Sequence, residues 1–431
     1  MSLTSESSVT LETLEEWLNY LEQCHPSNIE LGLDRVGEVA GKLAIDFPGT
    51  RIISVGGTNG KGSTVAMLCA VLEAAGFTTA SYTSPHLLHY NERVRLGDRL
   101  ATDEELCASF AAVEKAREDI QLTYFEFGTL AAFQLIAEQQ PDYAVLEIGL
   151  GGRLDAVNIL EPDIAIVTNV ALDHTDWLGD TREAIGYEKA GIFRQGKPAL
   201  VGERAIPHTV LDQAAAVGAE LFHNGPDFRA RQKGTTWDWE GQNAQGENVV
   251  IAELPVNDFP LDNCATVLQA IQLAEPGIEK SFIVKGFRTA TLTGRFQVED
   301  RGYPLILDVA HNPHAAKRVH DQLKMRFPDY KLLVVVAMLA DKNYAEVLDV
   351  FAEIKPTWFV AGIQEERGLE AKILYNYLSE TDAGNAASFT TIREAFTAAE
   401  DSAKALQQTG HKTAILVTGS FFTVAAVLEL L

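Results

Sequence analysis

An apolar run, Ile52 to Val55, passes directly into Gly56-Gly57-Thr58-Asn59-Gly60-Lys61-Gly62-Ser63, and a helical pattern from Thr64 to Ala75 begins at once. A strand that turns through glycines into a helix is the repeating piece of open α/β sheets. The same alternation continues with apolar runs at Tyr143 to Ile148, Ile164 to Val170 and Ala199 to Val201. Runs that are apolar throughout, rather than at every second residue, predict a parallel sheet covered on both faces. The glycine-rich turn also carries chemistry. Glycines let backbone N–H groups face an anion, the helix N-terminus favours negative charge, and Lys61 supplies a point charge for β- and γ-phosphates. The strict G-x-x-x-x-G-K-[ST] pattern is broken twice, by Val55 at its first glycine and by Gly62 at its Ser/Thr position.

Leu11, Leu14, Trp17, Leu18 and Leu21 recur at helical spacing, which predicts an opening amphipathic helix with Thr10 as N-cap and Glu12 in the first turn. From Phe228 to Leu254 the composition shifts to Gly, Gln, Asn, Thr and Trp, as in a small antiparallel hairpin insert or lobe. A second βα series follows at Leu305 to Val309, Lys331 to Met338, Trp358 to Ala361 and Ile415 to Thr418. The expected class is therefore α/β: an N-terminal P-loop-type parallel-sheet ATPase domain, residues 1–293, and a smaller C-terminal Rossmann-like α/β domain, residues 298–431. The nearly apolar stretch Ala414 to Leu431 is interrupted by Gly419, Ser420 and Glu429, which suits a buried strand, a Gly-Ser turn and a closing helix better than a membrane span.

Charge narrows the partners. With 35 Lys+Arg against 60 Asp+Glu the formal charge is −25, and no basic block interrupts the acidic excess. That argues against a nucleic-acid backbone or an anionic membrane surface as partner. The four cysteines, Cys24, Cys69, Cys107 and Cys264, form no C-x-x-C pair, so a zinc site or disulfide framework is not expected. The first basic residue is Arg35, which leaves no basic n-region of a secretory signal, and the expected compartment is the cytoplasm. No coiled-coil heptad is visible, so a monomer is expected.

Taken in order, several motifs resemble those of folylpolyglutamate synthases, which belong with the Mur ligases. They are Gly57-Thr58-Asn59-Gly60-Lys61-Gly62-Ser63, Thr83-Ser84-Pro85-His86-Leu87, Phe125-Glu126, Glu147 through Asp155, Asn169 through His174, Glu188-Lys189-Ala190-Gly191-Ile192, Gly294-Arg295, Asp308 through Pro313, and Thr418-Gly419-Ser420. They span nearly the whole chain, and their joint occurrence is specific. The resemblance implies an ATP-dependent amide ligase that adds L-glutamate to dihydropteroate and to reduced folates through an acyl phosphate.

The resemblance also implies roles, each beside a plainer reading of the same residue. Thr58, Asn59, Gly60, Lys61, Gly62 and Ser63 would bind ATP, joined by Asn263 and, from the second domain, Arg295 and Asp308 across an interdomain cleft. Glu147 ends a buried strand, where α/β sheets place ligands, and would hold Mg2+ with Ser84 and His174; two ions are implied. Read alone, Glu147 could be satisfied by loop amides, Ser84 could cap a turn and His174 could be a core histidine. Lys189 reads by itself as a surface lysine, whereas similar enzymes carry a carbamylated lysine there. Lys61, Lys189 and His174 would be the catalytic set. Leu31-Gly32-Leu33-Asp34-Arg35, Thr123-Tyr124-Phe125-Glu126 and Arg153-Leu154-Asp155 resemble the folate or dihydropteroate pocket, although Phe125 could equally be core. His311 either orients its loop or touches ligand.

Overall fold

The computed structural model describes residues 11–25, 29–365, 367–381 and 383–431. The chain divides into two compact units. One comprises residues up to Val170 together with Thr175–Ala290; the other comprises Ala171–His174 and Thr291–Leu431.

The first unit contains, in chain order, β1 (Arg51–Gly56), β2 (Thr79–Tyr82), β3 (Val94–Leu96), β4 (Arg99–Leu100), β5 (Tyr143–Glu147), β6 (Ile164–Val167), β7 (Pro198–Val201) and β8 (Glu220–His223). They form one sheet in the order β4-β3-β2-β5-β1-β6-β7-β8. The six strands from β2 to β8 run parallel. β3 and β4 run antiparallel at one edge, which corrects the expectation of an all-parallel sheet. Between β3 and β4 lie only Gly97 and Asp98, too few for a helical crossover, so the chain must reverse direction there.

Burial on both faces follows from the strands' period of two. In β5, Ala144 and Leu146 enter a core with Phe110, Phe127 and Phe133 from the helices Asp103–Arg117 and Tyr124–Gln139. Tyr143 and Val145 enter a second core with residues of the helices Lys61–Ala74, Leu261–Ala274 and Lys280–Thr289. The expected insert is a three-stranded antiparallel sheet of β9 (Arg229–Lys233), β10 (Thr236–Gln242) and β11 (Asn248–Pro255), one strand more than a hairpin. β10 alternates, and its Trp237 and Trp239 fill the second core, where Trp239 Nε1 donates to the Ala265 carbonyl at 3.0 Å.

The second unit contains β12 (Gln297–Asp300), β13 (Pro304–Leu307), β14 (Lys331–Val336), β15 (Thr357–Ala361), β16 (Ala386–Phe389) and β17 (Thr413–Thr418), ordered β12-β13-β17-β14-β15-β16. All but β12 are parallel. The α/β class expected for both halves is thus observed, and the closing segment is strand, turn and helix, with Ser420 capping Phe421–Leu428. The first helix runs Leu14–Leu21 and starts later than expected. Its cap is Thr13, in a reciprocal pair with Glu16, so Glu12 precedes the helix; Thr10 lies outside the described residues. Thr13 and Glu16 have the spacing of a capping box, which outweighs an isolated threonine three residues earlier.

Candidate active site

In the first unit, chemistry gathers at the carboxyl ends of β1, β5 and β6. The loop after β1 takes left-handed backbone at Gly57 (φ 136°) and Gly60 (φ 84°). A Cβ on Gly57 would collide with the Thr168 side chain, and one on Gly60 with the Asn263 amide. Both glycines are therefore required by neighbours as well as by backbone. The loop is braced from the end of β6: Asn169 accepts the Asn59 N–H through Oδ1 at 3.1 Å and donates back to the Asn59 carbonyl at 2.8 Å, and Thr168 Oγ1 donates to the same carbonyl at 2.8 Å. Asn263, from the start of the helix Leu261–Ala274, reaches the Gly60 carbonyl at 3.5 Å.

The helix Lys61–Ala74 that leaves this loop has no side-chain cap. Ser63 in its first turn is buried, and among the described residues its hydroxyl has no hydrogen-bond partner. Lys61 folds back over the loop, with Nζ 3.2 Å from the Gly57 carbonyl and 3.4 Å from that of Thr58. An uncapped helix N-terminus, a shielded hydroxyl without an acceptor and a lysine held only by carbonyls form a cradle for an anion.

Glu147, buried at the end of β5, accepts the Ser84 N–H at 3.2 Å, so this carboxylate and the serine are neighbours. One carboxylate and one hydroxyl suit Mg2+, which keeps several waters and takes phosphate oxygens. Among the described residues no three His, Cys, Asp or Glu side chains cluster as a metal cage. Lys189 is buried in the last turn of the helix Arg182–Ala190, unlike an ordinary surface lysine.

The segments assigned to substrate also converge. The Gly32 N–H donates to the Leu154 carbonyl at 3.2 Å, joining Leu31–Arg35 to Arg153–Asp155. Asp155 is buried and accepts the Leu150 and Val157 N–H groups at 2.8 and 3.0 Å. Burial pushes its carboxyl up to about 6, against the pull of those amides and of the Lys61 charge. The Phe125 ring occupies the space a side chain at Gly149 would need. Thr123 and Glu126 form a capping box on the helix Tyr124–Gln139, and Glu126 also pairs with Arg35 at 2.9 Å. The Glu126 carboxylate therefore has a local job, setting the direction in which Tyr124 and Phe125 leave the helix start. Arg153 points to Glu188 at 2.8 Å, beside Lys189.

The second unit has its own cluster at the ends of β13, β14 and β17. Asp308 is buried and accepts the Phe296 and Ala310 N–H groups at 2.8 and 2.9 Å, with Arg318 at 3.1 Å. Arg295 lies with its guanidinium carbon 5.0 Å from the centre of the Phe421 ring. Asp173 is the hub: it pairs with Lys342 at 2.7 Å and His311 Nε2 at 3.4 Å, accepts from Asn312 at 3.2 Å, and caps the His174 N–H at 2.9 Å. His311 Nδ1 lies 2.9 Å from the Val309 carbonyl, a loop-orienting contact. The hydrogen bond with His311, the Lys342 ammonium and the other donors outweigh the burial of Asp173 and hold its carboxyl far below the usual carboxylate range. His174 has a left-handed backbone (φ 52°) within the segment that groups with this unit.

Two family models match the chain: the Mur ligase middle domain over residues 55–215 and the Mur ligase glutamate ligase domain over residues 294–421. The dihydrofolate synthase/folylpolyglutamate synthase of Escherichia coli (strain K12) is 43% identical over 418 residues, 97% of this chain and 95% of that protein. The chain belongs to this branch of the Mur ligase family. It is accordingly an ATP-dependent carbon–nitrogen ligase. The Haemophilus influenzae enzyme of the same name is 39% identical over 431 residues, covering 96% of each chain. Among solved structures, Escherichia coli FolC in complex with DHPP and ADP matches with a TM-score of 0.90 at 41% identity over 97% of both chains. A bifunctional folylpolyglutamate synthase/dihydrofolate synthase with Mn, AMPPNP and L-glutamate bound matches at 0.88 and 42% identity, over 97% of this chain and 98% of that one.

For this Mur ligase the sequence reading assigned no role to Thr168, Asn169, Asp173 or Lys342. A polar pair directly after the apolar strand β6 was the available signal for the first two. Lys342 meets Asp173 across 169 residues, which no local pattern reveals.

Proposed function

We infer that the chain joins L-glutamate to dihydropteroate, giving dihydrofolate, and to reduced folates, giving folylpolyglutamates. The observation that carries the reading is the cradle at the start of the helix Lys61–Ala74, on a chain of this family: Lys61, the uncapped helix N-terminus and the Ser63 hydroxyl, which has no partner among the described residues, leave donors for a triphosphate. A carboxylate is a poor electrophile, so the substrate carboxylate first takes the γ-phosphoryl group of ATP, releasing ADP and forming an acyl phosphate. The amine of glutamate then attacks the acyl carbon, the C–N bond forms, the C–O bond to phosphate breaks, and inorganic phosphate leaves with loss of a proton.

In this scheme Thr58 through Ser63 and Asn263 hold the nucleotide, and Arg295 and Asp308 are the further residues proposed for it. Ser84, Glu147 and His174 would hold Mg2+, two ions in all, which when bound offset the charge of the moving phosphoryl group. Lys189, buried beside Glu188, is the candidate for carbamylation, which would turn a buried cation into a further carboxylate-like oxygen ligand. Thr123 to Glu126 and Arg153 to Asp155 form the folate end, where the Phe125 ring offers a stacking face. We place the enzyme in the cytoplasm as a monomer without nucleic-acid or membrane partners. Four free cysteines and the acidic surface support this, and among the described residues no helix is long and apolar enough to cross a membrane.

The test is ATP-dependent phosphate release with L-glutamate and either dihydropteroate or tetrahydrofolate, with products weighed by mass spectrometry. Release with both acceptors, each product heavier by one glutamyl residue, is expected; release with neither would sink the reading.

A further inference from the structure

Arg93 is a buried cation whose neighbours carry no negative charge. It closes the 3-10 turn Tyr90–Arg93 just before β3 and is 8% exposed. Its Nε donates to His86 Nδ1 at 2.9 Å, and its guanidinium carbon lies 5.0 Å from the centre of the Tyr90 ring and 5.6 Å from that of Tyr124. None of these groups is a carboxylate: one is an imidazole and two are phenols, and burial pushes the Tyr90 and Tyr124 hydroxyls up. Among the described residues no Asp or Glu pairs with Arg93.

The absence is local to this place. The partly buried arginines Arg35, Arg117 and Arg182 of the same unit pair with Glu126, Glu114 and Glu203 at 2.9, 2.6 and 2.7 Å. The acid adjacent in sequence, Glu92, is turned away and spent on the Leu87, Leu88 and His89 N–H groups at 2.7, 2.8 and 2.8 Å. The Tyr90 hydroxyl, in the same cage, is buried and has no hydrogen-bond partner among the described residues. A guanidinium removed from water without a counter-charge is costly to fold, and a chain with 60 acidic residues had many ways to supply one. The missing charge is one that a ligand brings.

We propose that Arg93 is the counter-ion for a non-reacting carboxylate of the folate substrate, the α-carboxylate of the glutamate that a reduced folate already carries. The inference rests on the function proposed above and adds a specificity residue to it. Tyr124, which walls the cage, belongs to the segment assigned to substrate, and the Thr83 N–H bonds the Arg93 carbonyl at 2.9 Å next to Ser84. A planar guanidinium fork suits a planar carboxylate held through both oxygens. A carboxylate held that way is a poor acceptor of a phosphoryl group, so the fork fits a bystander rather than the reacting group. Dihydropteroate has only the reacting carboxylate, and so draws nothing from Arg93.

The experiment compares kcat/KM for tetrahydrofolate and dihydropteroate in the unaltered enzyme, Arg93→Met and Arg93→Lys. The expected result is a fall of roughly 30-fold in the tetrahydrofolate-to-dihydropteroate ratio for Arg93→Met, carried by KM, with Arg93→Lys in between. Equal losses with both acceptors would make Arg93 a support for the fold and overturn the proposal. A second measurement does not depend on the variants folding. Tetrahydrofolate with its α-carboxylate replaced by a carboxamide should show a KM raised by a similar factor in the unaltered enzyme, and an unchanged KM overturns the proposal. Failure of the unaltered enzyme to ligate either acceptor would instead overturn the proposed function.

Discussion

The two strand-end clusters are built on opposite principles. In the first unit the helix Lys61–Ala74 begins without a cap, Ser63 holds a buried hydroxyl that bonds to nothing described, and Lys61 rests on carbonyls. In the second unit each acidic group is met from within: Asp308 by two backbone amides and Arg318, Asp173 by Lys342, His311, Asn312 and the His174 N–H. The first cluster leaves donors for an anion to complete, and the second is rigid before any ligand arrives. Lys61 and Ser63 in the first cluster should therefore cost activity when replaced, and the Asp173–Lys342 pair in the second should cost stability.

The largest effect is expected at Lys61. Lys61→Ala removes a charge aimed at moving phosphate while cutting only two long contacts to loop carbonyls. Ligation should fall by roughly 1,000-fold or more, with the urea unfolding midpoint essentially unmoved. Near-normal turnover in a folded variant would remove the phosphate loop from the mechanism. At Asp173 the balance reverses. Asp173→Asn takes from the buried Lys342 ammonium its closer counter-charge, leaving Asp341 at 3.6 Å, and should cost about 2 kcal/mol in urea unfolding. Adding Lys342→Met should recover most of that loss. A cost below about 1 kcal/mol, or no recovery in the double variant, would mean the second cluster is not held together by this pair.

How far these features could be read from sequence depends on the range of the interaction. β1, β5, β6, β14 and β17 are runs of Ile, Leu and Val buried on both sides, so composition alone announces them. β2 (Thr79–Tyr82), β8 (Glu220–His223) and β16 (Ala386–Phe389) are short and mixed in polarity, and their strand character comes from a neighbour's free edge. The cradle was legible because strand, glycines, lysine and helix are contiguous. Glu147 announced itself by closing an apolar strand. Lys189 did not, since a helical lysine looks the same whether its face meets solvent or core. Asp173–Lys342 and the cage around Arg93 join distant stretches of chain, and what marks Arg93 is the lack of an acid nearby, which no motif encodes.

Ser63 gives the smallest effect and the finest discrimination between the two clusters. The residue is 1% exposed and its buried hydroxyl has no partner among the described residues, so the folded protein has given up that group's hydration for nothing described in the structure. Ser63→Ala removes the unmet group and leaves a methyl in a position already surrounded. If the hydroxyl exists only for a phosphate oxygen or its metal, the variant should be as stable as the original or more so by up to about 1 kcal/mol, while binding ATP roughly 10-fold more weakly. Thermal unfolding and ATP titration read the two quantities separately. A loss of stability with unchanged ATP affinity would show that Ser63 serves the fold, and that the first cluster is as self-contained as the second.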